Sequence, residues 1–114
     1  MQFYKGAGNT GTHTVYIWSV DGVQLATATA TAETASGWQT VPLATPLAIT
    51  AGTEYRASYY LPTGHYAVDV DGLSTPVTNG SLTALGSAYV YGTGAPINNA
   101  AHNYWVDVSF SPSP

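Results

Sequence analysis

The chain has 114 residues and a formal net charge of −4, and only 7% of its residues are charged. This length suits one domain that buries roughly two-thirds of its unfolded surface. Lys5 and Arg56 are the only permanently cationic side chains, too few to neutralise several phosphates, so nucleic acids and anionic membrane surfaces are excluded as partners. No apolar run approaches the roughly 20 residues of a membrane span, and the absence of Cys excludes disulfides and thiolate metal sites.

Thr, Val, Ile and Tyr dominate the chain, and no window repeats apolar residues at helical spacing, so we predict an all-β protein. The clearest element is a hairpin with strands at Thr14–Val20 and Val23–Thr31. An Asp21-Gly22 pair between them favours a two-residue type I′ turn. That turn pairs Val20 with Val23, Trp18 with Leu25, Ile17 with Ala26, Tyr16 with Thr27 and Val15 with Ala28.

Alternation along the strands predicts which side chains face the core. Ala26, Ala28 and Ala30 alternate with threonines, and we assign the alanine face to the core. On two later strands we predict Tyr55, Ala57, Tyr59, Leu61, Tyr104, Val106, Val108 and Phe110 to point inward, and Arg56, Ser58, Tyr60, Trp105, Asp107 and Ser109 to point outward.

Short strands separated by turn-rich segments predict an antiparallel β-sandwich of about seven or eight strands, like an immunoglobulin or jelly-roll domain. Residues 1–111 form this domain, and the Pro-Ser-Pro sequence at 112–114 is typical of the start of a linker. Gly72–Ser87 is expected to be a long loop. The further strands are predicted at Trp38–Leu43, Glu54–Leu61, His65–Val70, Ala88–Tyr91 and Tyr104–Phe110.

Four segments of the chain form distinctive motifs: Phe3 to His13 (FYKGAGNTGTH), Leu25 to Ala28 (LATA), Glu33 to Gln39 (ETASGWQ) and Asn103 to Val108 (NYWVDV). Together they resemble the bacterial family catalogued as domain of unknown function 4082. The resemblance implies an extracellular β-sandwich that accompanies other modules in large secreted or surface proteins, some of them carbohydrate-active. It implies no established activity.

Family members usually carry a further strand-forming segment before the Phe-Tyr-Lys-Gly motif, whereas this chain begins almost at that motif. We therefore expect one or two edge strands to be missing. An open sheet edge can accept a strand from another chain, so self-association into a filament or oligomer is the alternative to a binding function.

Metal binding has weak support in the sequence. His13, His65 and His102 lack the close spacing that preorganises ligands. Asp69-Val70-Asp71-Gly72 lacks the further ligands of a calcium loop, and a turn stabilised by Asp side chains explains it equally well. We predict no cofactor, and a structural calcium remains an unsupported alternative.

Catalysis also lacks a recognisable pattern. A glycosidase needs two carboxylates roughly 5 to 10 Å apart in a cleft, and no pair among the six acidic residues suggests one. No Ser lies in a nucleophile-elbow sequence. Lys5 could form an isopeptide crosslink with Asn103 or Asp107, assisted by Glu54, although exposed charged groups are the commoner outcome. We therefore predict that the protein is not an enzyme.

Aromatic residues on outward faces are the best candidates for a binding site, because flat rings beside hydroxyl groups suit stacking against sugars. A Trp on the second face of a sandwich is, however, often covered by a loop. We expect a non-catalytic, secreted or surface-exposed module for adhesion or display, with a polysaccharide as the favoured ligand. The candidate ligand-binding residues are Trp18, Tyr16, Tyr60, Trp105, Tyr89 and Tyr91.

Overall fold

The computed structural model describes residues 1–62, 70, 72–79, 82–89, 94–96, 98–100 and 102–108. All regular structure in these residues is β, and every strand pairing is antiparallel. The predicted fold class is therefore confirmed. The strands are β1 (Gln2–Lys5), β2 (Thr14–Ser19), β3 (Gln24–Thr29), β4 (Gly37–Thr40), β5 (Tyr55–Tyr60), β6 (Val77–Asn79), β7 (Leu82–Ala84), β8 (Ser87–Tyr89), β9 (Asn98–Ala100) and β10 (Val106–Asp107).

Two three-stranded sheets form the body of the domain. Sheet A has the order β10-β1-β4, and sheet B has the order β3-β2-β5. Two smaller antiparallel pairs, β6 with β7 and β8 with β9, follow later in the chain. No helix in the part of the chain described is long and apolar enough to cross a membrane.

The core lies between the inner faces of sheets A and B. Phe3 of β1 and Val15 of β2 are fully buried in it, and the Phe3 ring stacks on Tyr59 of β5 with centroids 4.6 Å apart. Val106 and Ala57 pack against the same cluster. This is a small sandwich, and the inward assignments of Ala28, Ala30, Ala57, Tyr59, Val106 and Val108 are confirmed.

The β2–β3 hairpin forms where it was predicted, but its turn is longer. Gly22 N donates to Ser19 O (3.0 Å), and Ser19 N donates to Val23 O (2.9 Å). The loop therefore has three residues and ends at Gly22 with a φ of 88°, a type I turn followed by a left-handed glycine. A type I′ turn also needs a positive φ at Asp21, which is not observed. The predicted pairing of Val20 with Val23 is therefore wrong, because Ser19 lies opposite Val23.

A β-bulge changes the register near the turn. Val15, Tyr16 and Ile17 pair with Ala28, Thr27 and Ala26 as predicted, but Trp18 lies opposite Gln24. The register shifts between Ile17 and Trp18, which leaves Leu25 as the extra residue of β3. The predicted pairing of Trp18 with Leu25 is therefore wrong.

Several strand limits also differ from the sequence prediction. β4 ends at Thr40 rather than Leu43, and the last strand is only Val106–Asp107. The prediction of a long loop over Gly72–Ser87 is wrong, because this segment contains the hairpin of β6 and β7. The Thr78 and Thr83 hydroxyls of that hairpin are 3.0 Å apart. Apart from Val70, the predicted His65–Val70 strand lies outside the described residues, as do Tyr91, Phe110 and the proposed linker.

Candidate ligand-binding site

Three aromatic side chains meet on the outer face of sheet A. Tyr4 of β1 lies directly opposite Trp38 of β4 in the sheet register. Phe3 and Gln39, their neighbours in the two strands, are buried, so alternation sends Tyr4 and Trp38 to the outer side. Trp105, which immediately precedes β10, completes the group.

The rings of Tyr4, Trp38 and Trp105 form one contiguous aromatic cluster with Trp38 at its centre. The Tyr4 and Trp38 ring centroids are 5.6 Å apart at an interplanar angle of 84°, and those of Trp38 and Trp105 are 6.3 Å apart at 81°. Both pairs are in the favourable edge-to-face arrangement. The three residues are nevertheless 39%, 48% and 38% exposed, respectively.

Trp105 is held in an unusual backbone conformation. Its φ is 57°, in the left-handed region, which costs a residue with a side chain roughly 1–2 kcal/mol. The backbone N of Trp105 donates to Asn103 Oδ1 (2.8 Å), and its carbonyl oxygen accepts from Tyr4 N (2.8 Å). These bonds fix the strained residue beside β1, and such strain is concentrated at functional sites.

A buried amide orders the loop that leads into Trp38. Gln39 Oε1 accepts from Thr34 N (2.9 Å), while its Nε2 donates to Thr34 Oγ1 (2.6 Å) and Gly37 O (3.1 Å). Gly37 has a φ of 93°, which glycine adopts without strain. Trp38 therefore follows a loop whose conformation is set from beneath the sheet.

Beneath the same sheet lies a buried polar cluster of Lys5, Asn9, His13 and Glu33. Glu33 Oε1 is 3.2 Å from Lys5 Nζ and 2.7 Å from His13 Nδ1, and His13 Nε2 is 2.7 Å from Asn9 Oδ1. Lys5 Nζ also donates to the Thr34 carbonyl (3.0 Å). His13 and Asn9 are fully buried, and through Lys5 the cluster ties the 33–37 loop to β1.

These contacts correct the proposed isopeptide arrangement. Lys5 pairs with Glu33, whereas Glu54 is exposed to solvent. Asn103 is engaged by the backbone of Trp105. The three groups that the crosslink would need, an amine, an amide and a carboxyl, are therefore not assembled from Lys5, Asn103 and Glu54.

The outer face of sheet B also carries aromatic rings, but they are covered. Tyr16 and Trp18 stack with centroids 5.1 Å apart at 26°, and Trp18 is only 6% exposed. Its Nε1 donates to Ser58 Oγ (2.8 Å). Arg56, opposite Trp18, donates to the carbonyl of the buried residue Pro96. The expectation that Trp18 offers an accessible ring is wrong, because the protein itself occupies that surface.

Two further predicted ligand residues, Tyr60 and Tyr89, lie away from the cluster on sheet A. Tyr60 lies opposite Thr14, on the same face of sheet B as Tyr16, and is half-buried. Tyr89 is 41% exposed but belongs to β8, in a separate two-stranded sheet. Tyr91 lies outside the described residues. Of the five predicted residues that the structure describes, only Trp105 belongs to the aromatic cluster.

Sequence reasoning missed Tyr4 and Trp38, although a signal for both was present. Val41 and Leu43 imply an inward odd-numbered face for this segment, which places Trp38 outward. Phe3, between two polar neighbours in the sequence Gln2-Phe3-Tyr4, implies the same for Tyr4. What the sequence could not show was that these strands are neighbours.

The candidate metal ligands that the structure describes do not come together. Among the described residues, no three His, Asp or Glu side chains lie close enough together to hold a metal ion. His13 is enclosed by Glu33 and Asn9, and the His102 ring packs edge-on against Tyr104.

Comparison with known proteins identifies a family for this chain. No curated protein and no solved structure is significantly similar to this chain. The model of the family described as a domain of unknown function (DUF4082) matches residues 1–106, nearly the whole chain. This protein therefore belongs to the DUF4082 family.

Proposed function

We propose that this domain is a non-catalytic extracellular module for adhesion or display, which binds glycans through the aromatic cluster. The observation that carries the proposal is the exposure of three rings on one sheet face, with Trp38 in contact with both Tyr4 and Trp105. Rings of this size are normally buried, and an exposed group of them is typical of a binding surface.

The chemistry of the surface suits a carbohydrate. The apolar C–H face of a sugar packs on an aromatic ring, while its hydroxyls need hydrogen-bond partners at the rim. Thr40 and Gln2 are paired in the sheet and alternate with Trp38 and Tyr4, so they supply a hydroxyl and an amide on the same outer face.

The order built into the cluster also supports binding. Gln39 and the Lys5–Glu33 pair hold the loop before Trp38, and Asn103 holds Trp105. A site whose side chains are fixed before the ligand arrives loses less conformational entropy on binding. Gln39 and Lys5 are buried under the sheet, which favours a structural role for them over catalysis.

Titration with a panel of oligosaccharides, followed by Trp fluorescence, tests the proposal. Trp38→Ala should weaken binding of any sugar that perturbs the fluorescence by about tenfold or more, because Trp38 contacts both other rings. Tyr4→Ala should weaken it less. Tyr89→Ala is the matched control, since Tyr89 has almost the same exposure as Tyr4 and lies in another sheet. Loss of binding in the control alone would move the site to β8.

Self-association is a second candidate function, favoured by the composition of β3. Within the part of the chain described, β3 is an outer strand of sheet B, and Gln24–Thr29 contains no charged residue and no Pro. Outer strands usually carry such residues to prevent pairing with other chains. We propose strand pairing between copies at β3, and Thr27→Lys should abolish any concentration-dependent oligomer seen by light scattering. A monomer at high concentration would contradict it.

A further inference from the structure

We propose, on the basis of the glycan-binding function above, that the ligand is a neutral, solvated glycan chain, and that neither an acidic polysaccharide nor a flat crystalline polysaccharide surface binds well. Two independent observations carry this inference. One is the orientation of the rings, and the other is the location of the cationic side chains.

Ring orientation argues against a flat ligand. Tyr4 and Trp105 each stand nearly perpendicular to Trp38, at 84° and 81°. A crystalline polysaccharide presents its sugars in one plane, and it would need several ring faces coplanar with one another. Here the most exposed ring, Trp38, cannot share a plane with either neighbour. The cluster instead offers ring faces in different planes, which suits a single sugar of a soluble chain stacked on one ring.

The spacing of the rings limits where a sugar can sit. Trp38 lies 5.6 Å from Tyr4 and 6.3 Å from Trp105, measured between ring centroids. Rings at these separations are already in contact with one another, so a sugar stacks on the outward face of a ring and does not fit between two rings. A soluble chain can turn one of its sugars onto such a face, whereas a rigid polymer surface cannot follow rings that lie in different planes.

The cationic side chains argue against an acidic ligand. Lys5 and Arg56 are the only Lys or Arg residues of the chain, and its net charge is −4. Lys5 is buried beneath sheet A in contact with Glu33. Arg56 lies on sheet B, where it bonds to the Pro96 carbonyl. A uronic acid or sulfated sugar at the aromatic cluster would therefore find no Lys or Arg partner, and it would approach a protein of like charge.

Three classes of glycan separate the outcomes: soluble neutral oligosaccharides, soluble acidic polysaccharides, and insoluble crystalline cellulose or chitin. Binding is measured by fluorescence titration for the first two and by depletion from the supernatant for the third, with Trp38→Ala and Tyr89→Ala alongside the unmodified protein. We expect a neutral soluble sugar to bind, Trp38→Ala to weaken it by about tenfold, and salt to change its affinity by less than about twofold.

The other outcomes overturn different statements. Stronger binding to acidic polysaccharide, or to crystalline polymer, with loss in Trp38→Ala would refute this inference and leave the glycan-binding function standing. Absence of binding to all three classes would refute the proposed function itself. If a neutral sugar binds and Trp38→Ala does not weaken its binding, neither the glycan-binding function nor the preference for neutral sugars belongs to the aromatic cluster.

Discussion

The outer faces of sheets A and B both carry large aromatic side chains in contact with one another, but the two groups differ in their exposure to solvent. On sheet B, Trp18 is buried and its indole nitrogen is bonded to Ser58. On sheet A, Trp38 and Trp105 remain exposed. The contrast shows that an outward position in a strand does not make a ring a ligand group, because another part of the chain can cover it.

The two faces are also stabilised from different sides. Sheet B is held from outside, where Arg56 reaches the Pro96 carbonyl. Sheet A is held from inside, by the buried Gln39 amide and the Lys5–Glu33 pair. Fixing the rings of sheet A from beneath leaves their outer surfaces free, as a binding surface requires.

The largest expected effect is on the covered face. Trp18→Ala should lower the free energy of unfolding by about 3–5 kcal/mol, because it removes a buried indole and leaves a cavity. Trp38→Ala should lower it by less than about 1.5 kcal/mol, since only exposed edge-to-face contacts are lost. Chemical denaturation of the two variants measures the difference. Equal losses would contradict the assignment of one face to stability and the other to binding.

Replacing Glu33 should have the next largest effect on the free energy of unfolding. Glu33→Leu leaves the Lys5 ammonium buried without its ionic partner, which costs about 3 kcal/mol. The double variant Lys5→Met with Glu33→Leu should recover part of this loss, because the unpaired charge is gone. If the double variant is as unstable as the sum of the single variants, Lys5 and Glu33 do not act as a pair. Sugar binding by the double variant then reports how far the pair orders Trp38.

A smaller and opposite effect is expected at Trp105. Trp105→Gly should be more stable than Trp105→Ala by about 1 kcal/mol, because both lose the ring but only glycine adopts a φ of 57° without strain. Ala32→Gly, at a φ of 53°, should be stabilising for the same reason and is the control with the aromatic cluster intact. The reverse order at Trp105, measured by denaturation, would show that its backbone is unstrained.

Local patterns in the sequence predicted the parts of the fold that depend on neighbouring residues. Alternation placed Ala28, Ala57 and Val106 in the core correctly. The Asp21-Gly22 pair located the first hairpin, although Ser19 lengthened the turn by bonding through its hydroxyl to Val23 N. The hairpin of β6 and β7 was missed in spite of the Gly80-Ser81 pair, which separates Asn79 from its partner Leu82 in the sequence and is of a type that favours two-residue turns.

The candidate site was harder to predict, because it depends on contacts distant in the sequence. Tyr4, Trp38 and Trp105 meet only because β1 lies between β4 and β10, and no local pattern indicates that strand order. The burial of Trp18 is likewise a long-range effect, since Ser58 and Pro96 belong to other segments. The resemblance to a family without known activity predicted a β-sandwich fold, but it indicated no binding residues.

Fluorescence quenching compares the exposure of the indoles on the two sheets, and it needs only conservative Trp→Phe substitutions. The chain has three Trp residues, so Trp18→Phe leaves only exposed indoles and the double variant Trp38→Phe with Trp105→Phe leaves only the covered one. We expect acrylamide to quench the first variant several-fold more strongly, and the emission of the second to lie at shorter wavelength, because the Trp18 ring is shielded from water. Equal quenching would mean that the cover over sheet B opens readily. In that case Tyr16 and Trp18 would also be accessible, and the glycan titration would have to be repeated with Trp18→Phe beside Trp38→Ala to decide which face binds.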